Sequence, residues 1–256
     1  MKRTPMLPRK PSWASLGPMI RGAVVCMSDS FHWTMVSHEN VRPSCGPVKM
    51  FRETFMSDQK RTYRKTRRAD LEEETRRRIT ESAVALHEEL GPARTSISAI
   101  AEHAGVRRST VYRHFPDDES LFAACSSHYR AAHPPPDPCA WAGIEDPARR
   151  TATALGELYA FYRQTEGMYT SLLRDEALVP IVHRRLGDFY GYLRAVQDGL
   201  MAGRGLRGHA GRRTRAALGH ALAFPTWRSL AREHGLADGE AVGLMVVLVE
   251  GAAAAR

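Results

Sequence analysis

No stretch of the chain runs for about 18 uncharged apolar residues, the length at which a helix begins to span a bilayer. The longest candidates, around residues 242–249 and 19–27, are too short or carry Arg21. A secretory leader is not expected either, because Pro5, Pro8, Pro11 and Arg21 break up the apolar region it would need. Cysteine is scarce: Cys26, Cys45, Cys125 and Cys139 form no CxxC pair and no metal-like cluster. Free thiols in a reducing compartment, with no disulfide and no zinc, are the expectation, and the cytoplasm is the expected location.

Enzymatic signatures are missing as well. His87 in "HEEL" lacks the second histidine of HExxH, and Cys125 with His128 makes half a metal site without partners. There is no glycine-rich phosphate loop and no GxSxG. Neither catalysis nor a cofactor is expected. Period-two alternation, which would mark strands, is absent too, as is any internal repeat.

What the chain does have is positive charge. Its 37 Lys and Arg residues outweigh 28 Asp and Glu residues, leaving +9, a balance that suits anionic partners such as nucleic acid or a membrane surface. A hydrophobic content of 43% over 256 residues is enough for a real core, in one large domain or in a small and a medium one. Residues 1–55 scatter Pro, Gly and Met among apolar residues without sustained periodicity. Two readings fit them: a natural disordered tail, or upstream non-coding sequence read from a mis-set start, with translation beginning at Met56.

From there the pattern is helical. Ile79, Ala83, Leu86 and Leu90 recur at helical spacing until Gly91-Pro92 stops them. Ser96 caps a short second helix that ends at Gly105, a third spans about 108–114 before Pro116, and a fourth starts at Asp117 or Asp118. "HPPPDP", residues 133–138, is a stiff linker that no helix can cross. Beyond it, Asp146-Pro147 opens one helix, a short one follows around 168–174, and Pro180 opens a long amphipathic one. In that long helix Val182, Leu186, Phe189, Leu193, Val196 and Leu200 alternate steps of four and three. "GRGLRGHAGRR" reads as a basic loop, followed by helices from Thr214 to about 233, interrupted by Pro225, and from Asp238 to about 255. The expected fold is all-α: an N-terminal three-helix helix-turn-helix domain and a C-terminal helical bundle. The expected boundaries are 1–55 for the extension, 56–132 for the helix-turn-helix domain and 139–256 for the helical bundle.

The informative stretch is "SAIAEHAGVRRSTVYRHF", residues 98–115. Two short helices crossing steeply need a small residue at their contact and a turn that tolerates positive φ, and Ala101 and Gly105 supply these. Ile100, Val106 and Val111 then form the wedge, leaving Arg107, Arg108, Ser109, Thr110, Tyr112, Arg113 and His114 to face outward or sideways. Helix hairpins of this size exist that never meet DNA. Here the small residue, the glycine, the spacing and the basic face all agree on the major groove of B-DNA.

The pattern I-A-x-x-A-G-V followed by T-V-Y-x-H-F, within residues 95–122 and preceded by "RRRITESAVALHEELG", resembles the TetR family of transcriptional regulators. The likeness covers about a fifth of the chain. It implies a homodimer with a DNA-binding head and a diverse helical body that binds an inducer. It also makes Arg108, Ser109, Thr110, Tyr112, Arg113 and His114 recognition-helix contacts, with Ser96 and Ser98 reaching DNA from the second helix. One departure stands out: family members commonly carry a phosphate-gripping lysine where this chain has Asp118, flanked by Asp117 and Glu119.

"KRTYRKTRR", residues 60–68, holds six basic residues and is either a DNA-contacting flexible arm or a solvated charge run. Tyr159, Tyr162, Tyr169, Phe189 and Trp227 are candidates for an effector pocket, with plain core as the competing reading. The apolar helix from Asp238, paired with the one from Thr214, suits a two-fold four-helix interface. The expectation is a DNA-binding regulator, a repressor released from a palindromic operator by an unidentified small molecule. The alternatives are an activator or a nonspecific DNA-binding protein without an effector and, more remotely, an enzyme using the helical pocket.

Overall fold

The computed structural model describes residues 50–254, with residues 50–62 and 64 described as backbone alone. The expectations for residues 1–49 therefore lie outside the described residues, as do Cys26 and Cys45. Ten α-helices follow one another among the described residues, with no strand.

Helix α1 (Met50–Glu89) is far longer than the apolar spacing predicts. The sequence has no Pro or Gly between residues 51 and 90, and straight-chain Glu, Lys and Arg sustain a helix without burial. Ion pairs at helical spacing reinforce it, Arg68 with Glu72 at 3.1 Å and Arg77 with Glu74 and Glu81 at 2.8 and 2.7 Å. The basic run 60–68 is thus part of a continuous helix rather than a flexible arm.

Helices α2 (Ile97–His103), α3 (Arg108–His114) and α4 (Asp118–Ala132) lie where the caps predict. The Ser96 hydroxyl accepts from the Ala99 N–H at 3.1 Å, and the Asp117 carboxylate accepts from that of Ser120 at 2.7 Å. Ile79, Ala83 and Leu86 of α1 meet Ile100, Ala101, Val111, Phe115, Leu121 and Cys125 in one closed core. Val106, the third residue of the expected wedge, packs on this core half-buried.

A 3₁₀ turn (Pro138–Trp141) ends the proline-rich linker, whose Pro136 carbonyl accepts from the Tyr192 hydroxyl at 2.9 Å. The body comprises α5 (Pro147–Gln164), α6 (Glu166–Asp175), α7 (Pro180–Met201), α8 (Gly208–Ala221), α9 (Phe224–Arg228) and α10 (Asp238–Ala254). Helix α5 is its axis: Leu155, Leu158, Tyr159 and Tyr162 are fully buried against α7, α9 and α10. A π turn (Ser229–Glu233) follows α9. The expected basic loop is shorter than the sequence suggests, because α8 already begins at Gly208. Gly203, Gly205 and Gly208 have positive φ and reverse the chain within a few residues.

Two glycines are indispensable for different reasons. Gly105, between α2 and α3, has φ +64° with open space where a Cβ would stand, whereas Gly91, after α1, has φ +89° and the Arg174 guanidinium occupying that space. Gly105→Ala is therefore expected to lower stability by about 1–2 kcal/mol from backbone strain alone. Gly91→Ala is expected to lower it further, the two compared by thermal unfolding.

Candidate DNA interface and ligand cavity

Helix α3 buries only Val111, flanked by the half-buried Thr110 and His114. Arg107, Arg108, Ser109, Tyr112 and Arg113 are exposed, so one face of a two-turn helix presents three guanidiniums and two hydroxyls. Arg108 donates to the Tyr112 hydroxyl at 3.1 Å and lies 5.5 Å from its ring centroid, which holds both side chains in one orientation. Ser96 and Ser98 are exposed on α2, and the Ser96 hydroxyl, which accepts as a cap, keeps its own proton free to donate.

His114 sits differently from its neighbours. Its Nε2 is buried without a hydrogen-bond partner, and desolvation together with Arg113 and Arg76 lowers its pKa. Its carbonyl accepts from Arg76 at 2.9 Å, and Arg76 also covers the Phe115 ring at 4.3 Å. A cation from α1 thus closes the C-terminus of α3.

The acidic triplet after α3 has structural partners. Asp117 caps α4, and Glu119 binds Arg184 at 2.8 Å and Arg185 at 2.5 Å, both on α7. Glu119, next to the Asp118 that stands where the resemblance expects a lysine, thus ties α4 to the body. A second tie joins the end of α1 to α6. Asp175 accepts from the Ala93 N–H at 2.9 Å, Arg174 donates to the Leu90 carbonyl at 2.8 Å, and Ser171 to that of Glu88 at 3.0 Å. The neighbouring Arg174 guanidinium and the Ala93 N–H hold the Asp175 carboxyl below its ordinary pKa.

Between these ties lies a cavity of about 190 Å³. It is walled by Phe122 and Cys125 of α4, His87 of α1, Met168, Tyr169 and Leu172 of α6, Phe161 of α5, and Val182, Leu186 and Phe189 of α7. Of the expected pocket aromatics, Tyr169 and Phe189 line it. Tyr159, Tyr162 and Trp227 do not: their polar atoms are engaged with the Ala221 carbonyl, the Leu222 carbonyl and Asp238, at 2.9, 2.6 and 3.2 Å, and they build the body core. Sequence reasoning missed His87, Phe122, Tyr129 and Arg185, because they belong to three different helices and only the packing of head on body brings them together. Cys125 and Cys139 are free thiols, and no cluster of three or more His, Cys, Asp or Glu able to hold a metal occurs among the described residues. No described helix is long and apolar enough to cross a membrane.

The architecture is a helix-turn-helix head seated on a helical body. Residues 79–125 match the sequence model of bacterial regulatory proteins of the tetR family. A TetR-like transcriptional regulator from Rhodococcus sp. RHA1 superposes with a TM-score of 0.53 at 18% identity, covering 71% of this chain and 97% of the other. A Clostridium perfringens protein proposed to regulate fatty acid metabolism gives 0.52 at 13% identity, covering 70% and 100%. No curated protein matches the chain. The fold is that of TetR-like transcriptional regulators, and the family model falls on the helix-turn-helix head.

His87 makes a sensitive reporter of the head–body seam. It is 5% exposed and stacks on Phe122 with centroids 4.8 Å apart, and burial pushes its pKa down to about 4. A histidine whose folded pKa lies below its unfolded value is protonated first in the unfolded chain, so stability is complete above about pH 6.5 and declines as pH falls toward 4. Between pH 6.5 and 5 the expected loss is about 2 kcal/mol, at about 1.4 kcal/mol per pH unit. His87→Gln should remove most of that slope in denaturant titrations; an unchanged slope would mean that the ring is not desolvated.

Proposed function

We propose that this chain is a dimeric, ligand-responsive DNA-binding regulator, a repressor that leaves a palindromic operator when a small molecule fills its cavity. The observation that carries the reading is the exposed face of α3, where Arg107, Arg108 and Arg113 stand beside Ser109 and Tyr112, uncovered by any other described element. Arginines there reach guanine edges or phosphates, and hydroxyls reach phosphates. In this reading residues 56–132 bind DNA, residues 139–256 bind the effector and dimerise, the protein works in the cytoplasm and it catalyses no reaction.

Selection of bound genomic DNA by the purified full chain tests this. One enriched palindrome, lost in the Arg108→Ala/Arg113→Ala variant, is the expected outcome. Enrichment without a motif, sensitive only to salt, would leave a nonspecific DNA-binding protein.

Dimerisation is supported by α10. Leu244, Val247 and Leu248 are 42, 68 and 52% exposed on one face, beside the exposed Gly243 and Gly251, where a second helix can approach closely. The opposite face, with Ala241, Met245 and Val249, packs on the body. Pairing α8 and α10 with their two-fold copies would set two recognition helices about 34–36 Å apart, one turn of B-DNA. Val247→Glu is expected to yield monomers in sedimentation velocity and to weaken operator binding at least about tenfold. A stable dimer in that variant would place the interface elsewhere.

A further inference from the structure

The walls and the polar groups of the cavity differ in kind. Phe122, Phe161, Leu172, Val182, Leu186 and Phe189 give it an apolar, largely aromatic interior. Its ionic groups are already matched: Arg130 faces Asp188 at 3.5 Å, and Arg185 is held by Glu119. The polar groups left over are phenols, imidazoles and the Ser126 hydroxyl. Tyr129 has a buried hydroxyl with no hydrogen-bond partner, and among the described residues neither the Tyr169 hydroxyl nor the His87 imidazole has one. The buried Nε of Arg185 adds a donor whose charge Glu119 already balances.

Burial keeps these groups uncharged. It holds His87 down at about 4, raises the Cys125 thiol to about 12, and pushes both phenols well above their ordinary range. An ionised ligand would surrender its hydration to an interior with no unmatched counter-charge, a heavy penalty. A neutral molecule with one or two oxygens gives up only hydrogen bonds that the phenols, the imidazole and the Arg185 Nε can return. Size sets the other limit: an apolar cavity of about 150 Å³ takes a benzene, so about 190 Å³ suits one substituted ring.

Building on the reading of this cavity as the effector site, we propose that it takes a neutral single-ring compound carrying a hydroxyl or carbonyl oxygen, hydrogen-bonded by His87, Tyr129 and Tyr169. These three come from α1, α4 and α6, so the ligand's polar end touches head and body together. Filling the cavity then acts on the seam between them.

The test is calorimetric titration of the full chain with three probes of similar size, 4-propylphenol, propylbenzene and 4-propylbenzoate, at neutral pH. The phenol is expected to bind about tenfold tighter than propylbenzene, with the benzoate weakest. Tyr129→Phe and Tyr169→Phe should each lower phenol affinity about three- to tenfold while leaving propylbenzene unchanged. A preference for the benzoate, equal binding of phenol and propylbenzene, or no binding of any probe would overturn the proposed ligand class. Release of labelled duplex is measured separately: binding of the phenol without release would uphold the ligand class and overturn the effector reading.

Discussion

The seam where the head rests on the body sets the geometry of both the cavity and the exposed face of α3. Two polar ties define it, the Asp175 and Arg174 hold on the loop after α1 and the Glu119 clamp on Arg184 and Arg185. Singly, exposed ion pairs such as Glu119 with Arg184 contribute little to stability. Their effect is geometric: they fix α1 and α4 against α6 and α7, while Phe122 packs on the Ile181, Val182 and Leu186 cluster at the wall of the cavity between them. Because α3 is wedged against α1 and α4 by Val111 and Phe115, fixing the seam fixes where the recognition helix points.

The acidic triplet shows how one local change is accommodated. Three carboxylates beside α3 would repel a phosphate, yet Asp117 is engaged as a cap and Glu119 is neutralised by two arginines. Asp118 alone is left exposed without such a role. The same Arg185 that holds Glu119 also lines the cavity, so the clamp on the head and the wall of the cavity share one side chain. A cavity formed at such a seam, rather than inside one bundle, is walled by head and body together, so a ligand there would contact both.

The head was legible in the sequence because its determinants are local. Ser96 and Asp117 cap, Gly105 turns, and Ala101, Ile100 and Val111 lie within one short stretch, so spacing alone orders them. The body was legible only as helices. Periodicity locates Leu186, Phe189 and Leu200 on α7, but it cannot tell which aromatics face a cavity. Tyr162 and Tyr169 look alike in sequence; a hydrogen bond to the Leu222 carbonyl places the first in the core, whereas the second has no such partner and lines the cavity. The length of α1 escaped the pattern for another reason: Tyr63 and residues 65–74 are all exposed, and periodicity registers burial rather than helix propensity. Gly208 and Gly211 likewise disguised the start of α8, since glycine lowers helix propensity while tertiary packing decides the outcome.

The central claim is that cavity and DNA face are coupled through this seam, and reciprocity tests it most directly. Operator affinity is measured with and without saturating 4-propylphenol, and phenol affinity with and without saturating operator. The account requires both to weaken by the same factor, because a coupling free energy between two sites is shared. Affinities that are each unchanged by the other ligand would contradict it.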